Sequence, residues 1–296
     1  MKRDKAINRA LSIFFTILSL AWIYPVFMIA LNSFKKATAI STTTAFDLLT
    51  PETFNGLANY VHALNEQGFA SAFMYSLIIT VTSVVLILVC CSMCAWYVVR
   101  VNSKISNFFY YLFVFSMVVP FQMLMFTLSN LADSIGFNTP FNICFIYLGF
   151  GAGLAVFMFA GFVKNIPLEI EEAAMIDGAS ELKILLHIVI PMSKPIISTV
   201  GLMTALAYWN DWLNGLYYLT KRTDLYTIQN LLNRLISSAD FLRNNQANSM
   251  IAANIQVPSV GVRMAIAVIA IIPILLIYPF FQKGFVKGIV IGGVKG

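Results

Sequence analysis

Long stretches without a charged residue, broken by short polar segments, recur along the whole chain. A bilayer core takes about 20 mostly apolar residues as helix, because lipid offers no partner to a bare N–H or C=O. Six stretches meet that length. They are about 11–31, with Pro25 as a kink; 73–97, between Glu66 and Arg100; and 107–130, between Lys104 and Asp133. The others are 142–163, ending at Lys164; 196–220, after Lys194 and Pro195; and 264–282, between Arg263 and Lys283. The pattern predicts an all-α membrane protein, one domain over 1–296 with six transmembrane helices.

Composition narrows the class further. Hydrophobic residues make up 59% of the 296 residues and charged residues 11%, against about 45–50% and about 25% in soluble domains. So few charges cannot cover a water-facing surface, which excludes a soluble enzyme, a coiled coil and a disordered chain. The net charge of +6 includes no basic run longer than Lys35-Lys36 or Lys221-Arg222, so nucleic acid is not a partner.

Basic residues orient the spans instead. Lys2, Arg3, Lys5 and Arg9 put the N-terminus in the cytoplasm, and an even span count returns the C-terminus there. Segment 131–141, which would then lie outside, has no Lys or Arg, whereas the longer outer segments 32–70 and 221–262 carry some. The first apolar stretch is longer than a signal peptide's and lacks a small-residue cleavage site, so it reads as an uncleaved anchor. Cys90, Cys91, Cys94 and Cys144 lie in apolar runs and read as packing residues rather than disulfides or metal ligands.

The segment 164–195 is longer and more patterned than a connector between spans requires. Pro167 suits a helix's first turn, and Glu169, Glu171 and Glu172 suit its positive end. Ala173 and Ala174 continue the helix, Gly178 ends it, Ser180 can cap a second helix, and Pro191 and Pro195 end that one. The expected product is a cytoplasmic helix–turn–helix with a small-residue face beside a carboxylate, a shape suited to docking in a groove.

The string Glu172-Ala173-Ala174, three residues, Gly178, nine residues, then Ile188-Val189-Ile190-Pro191 resembles the EAA motif of ABC importer permeases, with Ile190 in place of Leu. The flanks Ile166-Pro167 and Asp177-Gly178-Ala179-Ser180, with Leu57-Ala58-Asn59-Tyr60, Trp209-Asn210-Asp211 and the glycine-rich ending 282–296, resemble the carbohydrate, maltose-type branch. The resemblance implies a type I ABC importer permease fold in a bacterial plasma membrane. It implies that 164–195 is a coupling loop, with Glu172, Ala173, Ala174, Asp177 and Gly178 seated on an ATP-binding cassette ATPase dimer. It further implies a second homologous permease, a sugar-binding protein outside the membrane, and a cytoplasmic tail, 283–296, with Gln282 just before it and Lys295 and Gly296 within it contacting the ATPase subunits. No G-x-x-x-x-G-K-[ST] string occurs, so ATP and Mg are expected on the partner ATPase and no cofactor on this chain.

Intramembrane polar residues are the default candidates for a transport path. Tyr208, Trp209, Asn210 and Asp211 combine aromatic faces with an amide and a carboxylate, which suits a sugar path and equally an aromatic belt at the interface. Pro120, Gln122, Ser129 and Asn130 could line a cavity or pair with a neighbouring helix. His62 and His187 lack ligand-spaced partners and read as surface residues. In the outer loop 221–262, Leu225, Ile228, Leu231, Leu232 and Leu235 recur at helical spacing, an amphipathic helix facing either a binding protein or the membrane surface. Two alternatives stand beside a sugar permease: an ABC permease for another solute, and an ion-coupled secondary carrier, for which Asp211 is the sole near-membrane acid.

Overall fold

In the computed structural model residues 2–219, 222–244 and 257–293 are described, with backbone alone for 2–6, 223 and 283–293. Lys295 and Gly296, expected in the tail contact, lie outside them. No strand forms among the described residues; one isolated bridge joins Lys35 and Phe54. The helices are α1 (Lys2–Asn32), α2 (Ala37–Thr42), α3 (Ala58–Leu64), α4 (Phe69–Val101), α5 (Lys104–Val118), α6 (Phe121–Ser134), α7 (Ile143–Val163) and α8 (Leu168–Ile176). They continue as α9 (Glu181–Met192), α10 (Lys194–Trp209), α11 (Leu213–Tyr218), α12 (Ile228–Asn244) and α13 (Val260–Gly293).

Among the described residues α1, α4, α7 and α13 are each long and apolar enough to cross a membrane. The stretch expected as one span over 107–130 is two helices, α5 and α6, bent by 105°. Pro120 causes the break: it has no N–H to donate and drives Val119 out of helical backbone, to ψ 116°. The fifth expected span also departs from a single rod. α10 begins at Lys194, bends by 77° from α9, and stops at Trp209, with α11 a separate short helix. Among the described residues there are thus four helices of spanning length, or up to six if each bent pair is one span.

Two compact units divide the chain. One comprises Met1–Ala70 with Leu231–Ile272. Here the Leu57–Tyr60 string is a clasp. Asn59 is buried and its Nδ2 donates to the carbonyls of Ser33 and Lys35, both at 2.8 Å, while Tyr60 Oη and Ser33 Oγ share a hydrogen bond of 2.6 Å. Lys35 is fully buried, with its Nζ donating to the Asp47 carbonyl at 2.6 Å.

The other unit comprises Ser71–Asn230 with Pro273–Gly296. Its core is built from Ile87, Cys91 and Ala95 of α4, Ala152, Ala155, Val156, Phe159 and Ala160 of α7, and Ile196 and Val200 of α10. Lipid is as apolar as leucine, so helices in it associate through close packing of small residues rather than through exclusion of water. Gly153 shows how close: a Cβ there would lie 2.7 Å from the Phe113 carbonyl of α5.

Candidate functional site

The elbow formed by α8 and α9 starts and turns where expected, at Pro167 and Gly178, but α9 runs through Pro191 to Met192 and Pro195 opens α10 instead of ending α9. Pro167 caps α8, and Glu169 and Glu171 occupy its first turn. At the other end Gly178 adopts φ +81°, its N–H donates to Met175 at 3.0 Å, and the N–H of Ala179 donates to Ala174 at 2.9 Å. This paired closure of the last carbonyls requires left-handed backbone at its pivot, which only glycine adopts without a steric penalty. Ser180 stands at the N-cap of α9 without a side-chain bond. Leu185–Val189 forms a π turn just before Pro191. The Pro191 ring would collide with the carbonyl four residues back, and the wider turn relieves that clash.

An apolar cluster holds the elbow: Val163, Ile166, Ile184, Leu185 and Val189, with Trp96, Val99, Ala174 and Ala179 packed against it. Beside it Glu171 is fully buried. Its Oε1 accepts from Arg100 Nη2 at 2.6 Å and Nε at 3.0 Å, and its Oε2 accepts from Trp96 Nε1 at 2.9 Å. Arg100 Nη2 also donates to the Ile166 carbonyl at 3.1 Å, beyond the last turn of α7. One guanidinium thus ties the ends of α4 and α7 to the first turn of α8. In the sequence Glu171 stands with its neighbours at a helix start, and nothing marks a partner for Arg100. The signal was a lone arginine ending an apolar span, but the pair is separated by 71 residues.

Glu172, Ala173, Asp177 and Gly178 are exposed and Ala174 is half-buried. Ile176 is 87% exposed, and Met175 and Leu182 are exposed nearby. An acidic and apolar face therefore points away from the chain's own packing.

The second candidate region is the break between α10 and α11. Tyr208 stacks on Tyr147 with ring centroids 4.3 Å apart and planes 4° from parallel, and its Oη donates to the Tyr147 carbonyl at 2.7 Å. Tyr147 Oη donates to Asp211 Oδ2. Asp211 Oδ1 accepts from the N–H groups of Leu213 and Asn214 at 3.1 and 3.3 Å, capping the start of α11. Trp209 is buried edge-on against Phe73, and Asn210 is exposed. Asn210 Nδ2 donates to the Leu206 carbonyl at 2.9 Å, so all four expected path residues are engaged at the helix break.

Ser129 Oγ donates to the Tyr217 carbonyl at 3.1 Å, the inter-helix pairing that was one of its two readings. Residues 225–235 bury Leu225, Ile228, Leu231 and Leu235, and α12 forms where the amphipathic pattern ran. His62 and His187 are exposed, and Gln282 is exposed on α13. Among the described residues no three of His, Cys, Asp and Glu gather as metal ligands.

The family described as "Binding-protein-dependent transport system inner membrane component" matches residues 87–291. The probable starch degradation products transport system permease protein AmyC of Thermoanaerobacterium thermosulfurigenes is 33% identical over 279 residues, covering 94% of each chain. The multiple sugar-binding transport system permease protein MsmG of Streptococcus mutans is 28% identical over 299 residues, covering 100% of each. A solved bacterial ABC transporter involved in the import of the acidic polysaccharide alginate has a chain with the same fold. Its TM-score is 0.77 at 24% identity, over 96% of this chain and 98% of that one.

Proposed function

The chain belongs to the family of binding-protein-dependent transport system inner membrane components, and from that premise we propose that it is the permease subunit of an ATP-driven ABC importer for a sugar or oligosaccharide. It works without covalent chemistry, in the bacterial plasma membrane, with both termini in the cytoplasm. A second, homologous permease completes the path, and alternating exposure of that path moves the solute. ATP and Mg are bound by a separate ATPase dimer, and a sugar-binding protein delivers the solute from outside. The tail beyond Gln282 reaches the ATPase subunits.

The elbow carries this reading. Its outer face, with Glu172, Ala173, Asp177, Gly178 and Ile176, is exposed, while its inner face is bound to α4 and α7 through Arg100, Glu171 and Trp96. A push on such a face travels into two long helices instead of being absorbed in a loose loop. Glu172 meets a basic side chain on the ATPase, and the left-handed Gly178 sets the turn that fits the cleft. At the break after α10, Asn210 faces the path, while Tyr208, Trp209 and Asp211 fix the shape of the wall beside it.

Reconstitution in proteoliposomes with the partner subunits tests this. Uptake of a labelled oligosaccharide requires ATP and survives ionophores that collapse ion gradients. Gly178→Asp inserts in the membrane yet loses the co-purifying ATPase. Uptake driven by an ion gradient alone, or full ATPase retention by Gly178→Asp, overturns the proposal.

A further inference from the structure

A third polar junction lies at the first turn of α12. Ser76, Thr227 and Asn230 are all buried there. Thr227 Oγ1 accepts from the Asn230 N–H at 3.2 Å, as a helix cap does, and donates to Asn230 Oδ1 at 2.6 Å. The Ile228 N–H donates to Ser76 Oγ of α4 at 2.8 Å. Asn230 Nδ2 donates to the Trp212 carbonyl, at the start of α11, at 2.6 Å. One turn of helix is thus plugged into α4 and α11 together.

The fit around Asn230 is closer than capping requires. Its amide lies against Gly215, where a Cβ would stand 2.0 Å from Oδ1 and 2.8 Å from Cγ, so any larger residue there displaces it. Nor does the Trp212 carbonyl depend on Asn230 for a partner, because it already accepts from the Leu216 N–H at 3.0 Å. Avoiding an unpaired buried group therefore does not explain the bond. What the bond adds is position: it fixes the first turn of α11 to the first turn of α12.

That same turn of α11 is held from its other side by Asp211, through the N–H groups of Leu213 and Asn214. Asp211 in turn accepts from Tyr147, on which Tyr208 stacks. A contiguous chain of bonds therefore runs from Asn230 through Trp212 to the break after α10. Beyond Asn230, α12 continues as one helix to Asn244, across the boundary of the compact units at Asn230 and Leu231. Arg234, Ile236, Asp240 and Phe241 are exposed along it.

We infer that Asn230 is a positioning residue for translocation, passing movement of the outer helix α12 to the α10–α11 break. At 3% exposure it touches neither the solute nor the binding protein and acts through the Trp212 carbonyl. A tilt of α12 displaces that carbonyl, and with it the Asp211 cap and the stacked tyrosines beside the path. Packed, hydrogen-bonded elements of this kind carry coupling between distant faces. The assignment rests on the importer reading, which puts α12 outside the membrane, and adds to it how that side acts on the path.

Uptake of labelled maltotriose, raffinose and arabinotriose is measured together with ATP hydrolysis, in proteoliposomes holding the whole importer and supplied with its sugar-binding protein. Asn230→Ala lowers uptake per ATP hydrolysed roughly tenfold, the order of one lost hydrogen bond. ATPase retention, hydrolysis without binding protein and the half-saturating concentration of binding protein stay at parental values. Thr227→Val shows the same loss of coupling, and Thr227→Ser, which keeps the hydroxyl, does not. Gly215→Ala matches Asn230→Ala, and the double change falls no further, because the added methyl takes the space the amide has left. Independent effects would instead multiply to roughly a hundredfold.

A hundredfold loss in the double change, equal impairment by Thr227→Ser and Thr227→Val, or uptake and hydrolysis falling in parallel overturns the assignment. Where Asn230→Ala does not insert, Gly215→Ala and the Thr227 pair decide in the same way. If the unaltered complex takes up none of the three probes at the expense of ATP, the importer reading falls and this assignment with it. If it takes one up while every variant keeps parental coupling, the role of Asn230 alone is wrong.

Discussion

The elbow at α8 and the break after α10 each end a helix beside a carboxylate, and they treat its charge in different ways. Glu171 is buried against a guanidinium and an indole, while Asp211 is held by a tyrosine hydroxyl and two backbone N–H groups. A buried ion pair has a large penalty if either charge loses its partner. A helix cap spreads its charge over neutral donors, and losing it costs less. The first arrangement makes a joint that is either intact or broken, suited to transmitting force. The second makes a wall that keeps its shape and tolerates modest change.

The widest gap between the two regions is therefore in stability. Glu171→Ala or Arg100→Ala alone is expected to lower stability by about 3–5 kcal/mol, read from thermal unfolding of the detergent-solubilised protein. Arg100→Met with Glu171→Leu is expected to lose much less than either single change, because no charge is then left buried alone. Losses below about 1 kcal/mol for both single changes would erase the contrast. At Gly178 a Cβ meets nothing within 4 Å, so the penalty there is purely one of left-handed backbone. It is expected at about 1–2 kcal/mol for Val and less for Asn, which tolerates that conformation better. The retained ATPase per permease should follow the same order.

At the other region, Asp211→Ala is expected to cost about 2–3 kcal/mol, because it removes a helix cap and also leaves the buried Tyr147 hydroxyl without its acceptor. Asp211→Asn keeps an acceptor oxygen and should cost clearly less on the same melting curves. The smallest effect on folding is next door to the largest. Glu172→Gln is expected within about 0.5 kcal/mol of the parent, as exposed substitutions are, while weakening ATPase retention. A stability loss at Glu172 matching that at Glu171 would mean that the elbow's two faces are not divided as described.

What could be foreseen from the sequence was what local rules govern. The stop at Gly178 and the amphipathic start of the 221–262 segment follow from hydrophobic period and backbone preference, and both appear in the fold, whereas only four of the six expected spans are single helices of spanning length. Pro120 stood in view inside an apolar stretch, but its effect depends on whether neighbouring helices leave room for a bend, which length does not reveal. The division between Glu171 and Glu172 was hidden for a sharper reason. Adjacent glutamates at a helix start are equivalent to propensity and to the helix dipole, and only a guanidinium arriving from α4 distinguishes them. From the sequence Tyr208 and Asp211 are candidates for a transport path or an aromatic belt. Their use as a stacking partner and a cap depended on Tyr147, 61 residues earlier for one and 64 for the other.

The π turn at Leu185–Val189 gives α9 a latent step. Each residue of an α-helix advances the winding by about 100°, and this turn stores one residue more than an ordinary turn would. If it tightened, everything downstream would swivel by about that angle, carrying Ile190 away from the cluster beside Trp96. The lower end of α10 could then rotate by a fixed click, with no hinge and no unwound segment.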